Sequence, residues 1–137
     1  MKDCIFCKII KGEMHAYKLY EDDAVISFLD IFPIHPGHVL VVPKKHFVDI
    51  FDMNEETAKH MMAVSKKLSP VVMKATGADG INLGMNNKPE AGQEVMHAHM
   101  HIIPRYRDDG LKTWGKNLYK DDKHKEELHK RLIKELK

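Results

Sequence analysis

The sequence predicts an α+β fold with a five-stranded, mainly antiparallel sheet, on three observations. Short β-branched or alternating runs follow one another closely between Lys18 and Val42, and two more lie between Ile81 and Ile103. One long apolar stripe at helical spacing, from Asn54 to Gly77, separates the two sets. A second stripe closes the chain. Hairpin strands with segregated helices give an α+β domain. A length of 137 residues suits a single domain, 1–137, large enough for a real core.

Taken in order, Cys4 to Lys11 reads as a short helical turn stopped at Gly12. Lys18 to Glu21 and Ala24 to Leu29 read as strands, joined at Asp22-Asp23 by a tight turn that lacks the preferred Gly. Pro33 to Gly37 is a loop, and His38 to Val42 is a β-branched strand closed by Pro43. Asn54 is a good N-cap, with Glu55 and Glu56 well placed in the first turn of a helix. Ala58, Met61, Met62, Ser65, Leu68, Val72 and Ala75 keep helical spacing, and Met61 and Met62 are expected in the core. Pro70 interrupts that pattern, so a kinked helix or two helices should end at Gly77. Ile81 to Met85 is a fourth strand and Asn86 to Gly92 a polar turn. Asp121 to Lys137 carries Leu128, Leu132, Ile133 and Leu136 on one stripe, which predicts an amphipathic helix packed on the body.

The remaining segment, Val95 to Ile103, alternates strictly and reads as the fifth strand. It places His97, His99 and His101 on one face and Met96, Ala98, Met100 and Ile102 on the other. Next-but-one residues on a strand lie about 7 Å apart, a spacing that lets one extended, phosphate-sized ligand touch several imidazoles. Such a row can bind an anion, ligate a metal or attack an electrophile. A nucleophilic imidazole needs one nitrogen free and the other held, and the central His99 suits that need. Protonated neighbours would share the charge of a bound phosphate. Gly92 allows a close backbone approach before the row, and Gln93 offers amide donors to phosphate.

Composition narrows the classes of function. There are 22 basic and 20 acidic residues, a net charge of +2, which argues against a nucleic-acid partner held by bulk charge. The Met1-Lys2-Asp3-Cys4 start has no apolar leader, and the apolar stretch at Val39 to Val42 is too short to cross a bilayer. A cytoplasmic protein without a membrane partner is expected. In that compartment Cys4-x-x-Cys7 points to metal or redox chemistry, or to two free thiols, rather than to a structural disulfide. Thioredoxin-like motifs share the spacing but follow a strand, and only three residues precede Cys4.

The run His97-Ala98-His99-Met100-His101-Ile102-Ile103 resembles the signature of the histidine triad (HIT) family of nucleotide hydrolases and transferases. Ala91-Gly92-Gln93-Glu94-Val95 before it and Pro104-Arg105 after it match as well. So do Phe28-Leu29-Asp30-Ile31, Pro36-Gly37-His38 and Pro43-Lys44-Lys45-His46 upstream. The opening Cys4-Ile5-Phe6-Cys7-Lys8-Ile9-Ile10 looks like the start of the zinc-containing bacterial branch. The resemblance spans about residues 4–106, leaving 107–137 as a C-terminal helical extension.

The resemblance implies a HIT-like fold and an enzyme that cleaves at the α-phosphate of a nucleoside monophosphate derivative of phosphoramidate, acyl-adenylate or dinucleotide type. It makes His99 the nucleophile of a nucleotidyl-histidine intermediate, His101 a phosphate ligand, and His38 a hydrogen-bonding neighbour that tunes the site. Asp30 is assigned to the ribose hydroxyls, because a carboxylate accepts both. Ile31, Phe6 and Ile9 would form the slot for a purine base of an AMP-type ligand, and Asn86 would contact it at the strand end. Glu94 departs from the Ser or Thr that phosphoramidase-type and dinucleotide-cleaving members carry, which leaves the leaving group open. By the same resemblance Cys4, Cys7, His46 and His97 hold one structural zinc ion, and the protein is a homodimer with the segment around Trp114 reaching the partner's site. Two alternatives stand beside this. One is a nucleotide-binding module without turnover, and the other a metal-dependent hydrolase whose three triad imidazoles share a catalytic metal.

Overall fold

A computed structural model describes residues 3–137. Five strands form one sheet in the order β1-β2-β3-β5-β4, and every neighbouring pair is antiparallel. They are β1 Lys18–Glu21, β2 Val25–Leu29, β3 Val39–Pro43, β4 Gly80–Gly84 and β5 Met100–Arg105. Three α-helices join them: α1 Ile5–Ile10, α2 Glu55–Thr76 and α3 Asp122–Leu136. A 3₁₀ turn at Pro89–Ala91 lies between β4 and β5.

The β1–β2 turn works without Gly because Asp22 replaces its conformational freedom with side-chain bonds. Its Oδ1 accepts the Ala24 and Val25 N–H groups, each at 2.8 Å. α2 starts at the Asn54 cap, whose Oδ1 accepts Thr57 N–H at 2.8 Å. It ends at Gly77 in the left-handed region, φ 71°. α2 is one continuous helix of 22 residues rather than two. Pro70 and Lys66 both lie on its exposed face, so water can take the carbonyl that Pro70 leaves unpaired.

The period-two pattern of the strands sorts side chains between two layers. Val25, Val39, Val41 and Ile102 face α2 and pack on Met61, Val64, Leu68 and Val72. Ile26, Phe28, Leu40 and Val42 face the other way and cover Phe6 and Ile9 of α1. Burying a side chain of this size contributes about 1.5–3 kcal/mol relative to exposure. His101 pairs with Leu40 and so lies on the α1 face of the sheet.

Three expectations need correction. Met62 is half exposed; only Met61 of that pair reaches the core, because helical rotation turns successive residues about 100° apart. α3 does not pack on the body: none of its residues is buried, and Leu132 and Leu136 are largely exposed. The fifth strand is shorter than the alternation implies. β5 starts at Met100, so His97 and His99 lie on irregular backbone ahead of it. Among the described residues no helix is long and apolar enough to cross a membrane.

Candidate functional site

The site is built where β2 ends, β3 begins and the segment before β5 arrives. Asp30 follows β2, and His38 precedes β3; the Asp30 N–H bonds the His38 carbonyl at 2.9 Å and ties the two together. The β3–β5 register then brings His101 to His38, with ring centroids 5.0 Å apart. His99 stands 4.9 Å from His101, centroid to centroid. His38 and His99 are buried and His101 is half-buried.

Hydrogen bonds assign the protons on these rings. His99 Nδ1 is 2.7 Å from the His97 carbonyl, which can only accept. The proton therefore sits on Nδ1, and Nε2 keeps its lone pair. His38 Nδ1 accepts the Ile34 N–H at 3.1 Å, so its proton sits on Nε2. That nitrogen donates to His101 Nδ1 at 2.8 Å. A neutral His101 consequently carries its own proton on Nε2. The Asp30 Oδ2 stands 3.6 Å from His38 Nε2 and favours a proton on the pair.

Burial is the main influence on every one of these rings and disfavours their charged form. It pushes His99 down, with the His97 carbonyl opposing it. It pushes His101 down to about 4, helped by His99 and His38. It lowers His38 as well, against the attraction of Asp30. Burial thus favours the neutral rings over the charged form in which flanking imidazoles would share a phosphate's charge. A neutral His99 is the form that can act as a nucleophile.

His97 faces elsewhere. Its Nε2–H donates to the Pro43 carbonyl at 2.8 Å, and its Nδ1 lies 3.3 Å from Cys4 Sγ and 3.6 Å from Cys7 Sγ. His46 Nδ1 lies 3.3 Å from Cys7 Sγ. All four ligand atoms fall within 4.8 Å of one another. Two sulfurs and two imidazole nitrogens are a donor set suited to a tetrahedral metal ion. The Pro43 bond orients His97 as an outer-shell partner orients a ligand. Burial raises the Cys7 thiol, with Cys4 adding to the effect, and a bound cation would reverse this. The cluster can hold a metal. It also removes the shared triad metal: both His97 nitrogens point away from His99 and His101. A second group, Asp30, His38 and His101, is also close enough for a metal, but His38 and His101 already bond each other.

The other expected residues fall in several places. Gln93 is buried with its amide fully used: Nε2 donates to Val48 O at 2.6 Å and Val95 O at 3.0 Å, and Oε1 accepts Lys88 N–H at 2.8 Å. It braces the loop, and the donors expected for phosphate are spent. Asn86 is exposed and reaches the Gly92 carbonyl at 3.3 Å. Gly92 takes φ 96°, where a Cβ would meet that Asn86 amide. Glu94 is exposed, and Ile31 lies at the surface with 66 % exposure. Phe6 and Ile9 are core residues on α1; the Phe6 ring stands edge-on to His99 with centroids 5.1 Å apart.

A cleft of about 620 Å³ adjoins His101, lined also by Asn86, Ile103, Arg105, Lys112 and Trp114. Ile103 and Arg105, the β5 part of this wall, were not among the expected site residues. The same alternation continues through His101, Ile103 and Arg105, and following it two residues further would have found it. Arg105 is not free to bind an anion: Asp109 takes its Nε at 2.7 Å and its Nη2 at 2.9 Å.

Oriented imidazoles at His38, His99 and His101, the last lining a cleft of ligand size on a small antiparallel α+β scaffold, are an arrangement suited to binding a small molecule. Residues 11–108 match the family model described as HIT domain, and the chain belongs to that family. Cys4 and Cys7 lie outside the matched span. The chain is 43 % identical over 109 residues to adenylylsulfatase HINT3 of Arabidopsis thaliana, covering 80 % of this chain and 55 % of that one. The crystal structure of SMU.412c from Streptococcus mutans UA159 superposes with a TM-score of 0.94 at 38 % identity, over 100 % of this chain and 87 % of that one. A Zn-bound histidine triad family protein from Mycobacterium smegmatis gives a TM-score of 0.77 at 34 % identity, over 90 % and 89 %.

Proposed function

We propose that this protein is a nucleotide hydrolase or transferase that acts at the α-phosphorus of a nucleoside monophosphate derivative, with an AMP-type ligand of phosphoramidate, acyl-adenylate or dinucleotide kind. The His99 ring supports this most. Its Nδ1–H is fixed on the His97 carbonyl at 2.7 Å, which leaves Nε2 as a free lone pair. Membership of the HIT domain family and the adenylylsulfatase name of one relative agree with a nucleotide substrate.

In the first step His99 Nε2 attacks the α-phosphorus and forms an N–P bond. The bond from phosphorus to the leaving group breaks, and the leaving group departs with the electron pair. The His101 Nε2–H, set by the His38 bond at 2.8 Å, hydrogen-bonds a phosphoryl oxygen as negative charge builds there. In the second step water attacks phosphorus and gives up a proton to solvent, the N–P bond breaks with its electron pair returning to His99 Nε2, and the nucleoside monophosphate leaves. Splitting the displacement in two lowers each barrier. Asp30, held beside His38, would accept the ribose hydroxyls with the lone pairs that His38 and the Phe32 N–H leave free.

Zinc is the metal proposed for Cys4, Cys7, His46 and His97. When bound it supplies a structural clip between the N-terminus and the sheet. A homodimer belongs to the same proposal. Trp114, Leu118, Leu132 and Leu136 leave large apolar surfaces exposed that a second copy would cover. Light scattering should give about twice the 15.8 kDa chain mass. A monomer at micromolar concentration would count against it.

The chemistry is tested with adenosine 5′-phosphoramidate. The purified protein should release AMP, and rapid quenching should trap one adenylate per chain. His99→Ala should fold normally and lose about 10³-fold or more in turnover. Binding without AMP release would leave a nucleotide-binding module, and near wild-type turnover in His99→Ala would reject the nucleophile.

A further inference from the structure

We infer, on the assignment of His99 as nucleophile made above, that the Cys4-Cys7-His46-His97 cluster and Phe6 are a positioning device for His99: a metal held there fixes the tautomer and placement of the reacting ring. The need for such a device comes from the backbone. β5 begins at Met100, so His97, Ala98 and His99 have no sheet ladder of their own. Three attachments hold this stretch instead. The Ala98 N–H bonds the Phe47 carbonyl at 2.7 Å. The His97 Nε2–H bonds the Pro43 carbonyl at 2.8 Å. The third is the His97 Nδ1 itself, 3.3 Å from Cys4 Sγ and 3.6 Å from Cys7 Sγ.

The same residue carries both functions. The His97 side chain faces the cluster, and the His97 carbonyl takes the His99 Nδ1–H at 2.7 Å. If the His97 peptide turns, that carbonyl leaves His99. The ring can then place its proton on Nε2, where it blocks the lone pair. A metal bond on the His97 side chain opposes that turn.

A second route runs through α1. Cys4 and Cys7 flank Ile5 and Phe6, and Cys4 Sγ accepts the Cys7 N–H at 3.3 Å. A ligand of the cluster therefore also caps the helix that carries Phe6. The buried Phe6 ring meets His97 edge-on at 5.8 Å and His99 at 5.1 Å, centroid to centroid. It forms a wall against the His99 ring. Pinning the N-cap and first turn of this short helix to one ion fixes that wall. Neither route uses the metal in the reaction, and both act on where His99 sits.

The test uses the full chain with ¹⁵N-labelled histidine, once loaded with one equivalent of zinc and once stripped by a chelator. Zinc content, far-UV circular dichroism, His99 ring ¹⁵N shifts and steady-state kinetics are measured on both. Loaded protein should show His99 as a single Nδ1–H tautomer. Stripped but folded protein should show mixed tautomers, with kcat down about 10- to 100-fold and KM within about threefold. Phe6→Leu, still loaded with zinc, should move both readouts the same way by a smaller factor. Unchanged tautomer and kcat in folded, stripped protein would overturn the inference, as would a chain that takes up no zinc. If stripping unfolds the chain, Phe6→Leu decides: wild-type shifts and kcat in that loaded variant refute positioning. The tautomer readout needs no turnover. It judges the positioning even if His99→Ala proves that another residue is the nucleophile.

Discussion

Gly37→Ala should be among the most damaging small substitutions in this chain, and its damage should reach the site. Gly37 has φ 95°, and a Cβ there would overlap the Thr76 Cγ2 methyl at the end of α2, closer than real Cβ atoms approach. The backbone conformation alone costs a residue with a Cβ about 1–2 kcal/mol. The overlap adds about 1–3 kcal/mol, since the methyl belongs to a β-branched residue with stiff χ1. The expected loss is therefore about 2–5 kcal/mol, a large share of the 5–15 kcal/mol by which domains of this size are stable. Thr76→Ser separates the two parts. It deletes the methyl but keeps the hydroxyl that donates to the Val72 carbonyl at 2.7 Å. Urea denaturation of the two single variants and the double variant should give a coupling of about 1–3 kcal/mol, in which Thr76→Ser relieves Gly37→Ala. AMP release should fall in Gly37→Ala and recover in part in the double variant. His38 follows Gly37 directly, and its N–H bonds the His35 carbonyl at 3.0 Å across this turn. A Gly37→Ala protein within about 0.5 kcal/mol of wild type would refute the steric reasoning, and a coupling near zero would refute the Thr76 part of it.

Stability should fall as pH is lowered from about 6.5 toward 4, because burial holds His101 at about 4 in the folded chain against about 6.5 unfolded. The neutral form is full strength above the unfolded value, and His101→Gln should flatten this part of the pH–stability curve; an unchanged slope would remove the assignment. The Asp109 carboxyl is held well below the usual carboxylate range, first by Arg105 and then by the Leu111 and Tyr106 N–H groups. Its stabilisation is complete above about pH 3.9 and is lost as pH falls below that. Asp109→Asn should therefore lower the melting temperature at pH 7 and weaken the acid-side decline, both read by calorimetry across pH. Cys4→Ser should lose the bound metal by elemental analysis and melt at lower temperature; full metal content in that variant would exclude Cys4 as a ligand.

The sequence was most legible where local chemistry decides the structure. Asn54 and Gly77 bound α2 because a side-chain cap and a left-handed residue are local devices. The strands followed from β-branched alternation. It was least legible where long-range pairing decides. Nothing in Val95 to Ile103 announces that the ladder starts at Met100; the Pro43 and Phe47 carbonyls draw His97 and Ala98 into other bonds instead. Gln93 looked like a donor because its type is one, but burial against Val48 and Val95 spends both N–H groups. The amphipathic stripe of α3 was read correctly as a helix, whereas its packing was not, since a stripe does not say which surface covers it. Cys4 and Cys7 were legible as a pair, and His46 and His97 only through a resemblance, because no local pattern links residues so far apart.

That separation along the chain has a consequence for how the protein acquires its chemistry. Cys4 and His97 are 93 residues apart, and His38 and His101 are 63 apart. Loop-closure entropy grows only slowly with length, by about 0.6 kcal/mol per doubling, but long-range contacts must wait for the pairings that align them. The β2–β3 hairpin and α2 can organise from neighbours alone. The proposed nucleophile His99, its proposed phosphate-binding partner His101 and the proposed metal ligand His97 all come from one short stretch near residue 100. A nascent chain is therefore chemically silent until that stretch emerges. On the proposed assignments, reactivity and the N-terminal clasp then arise together.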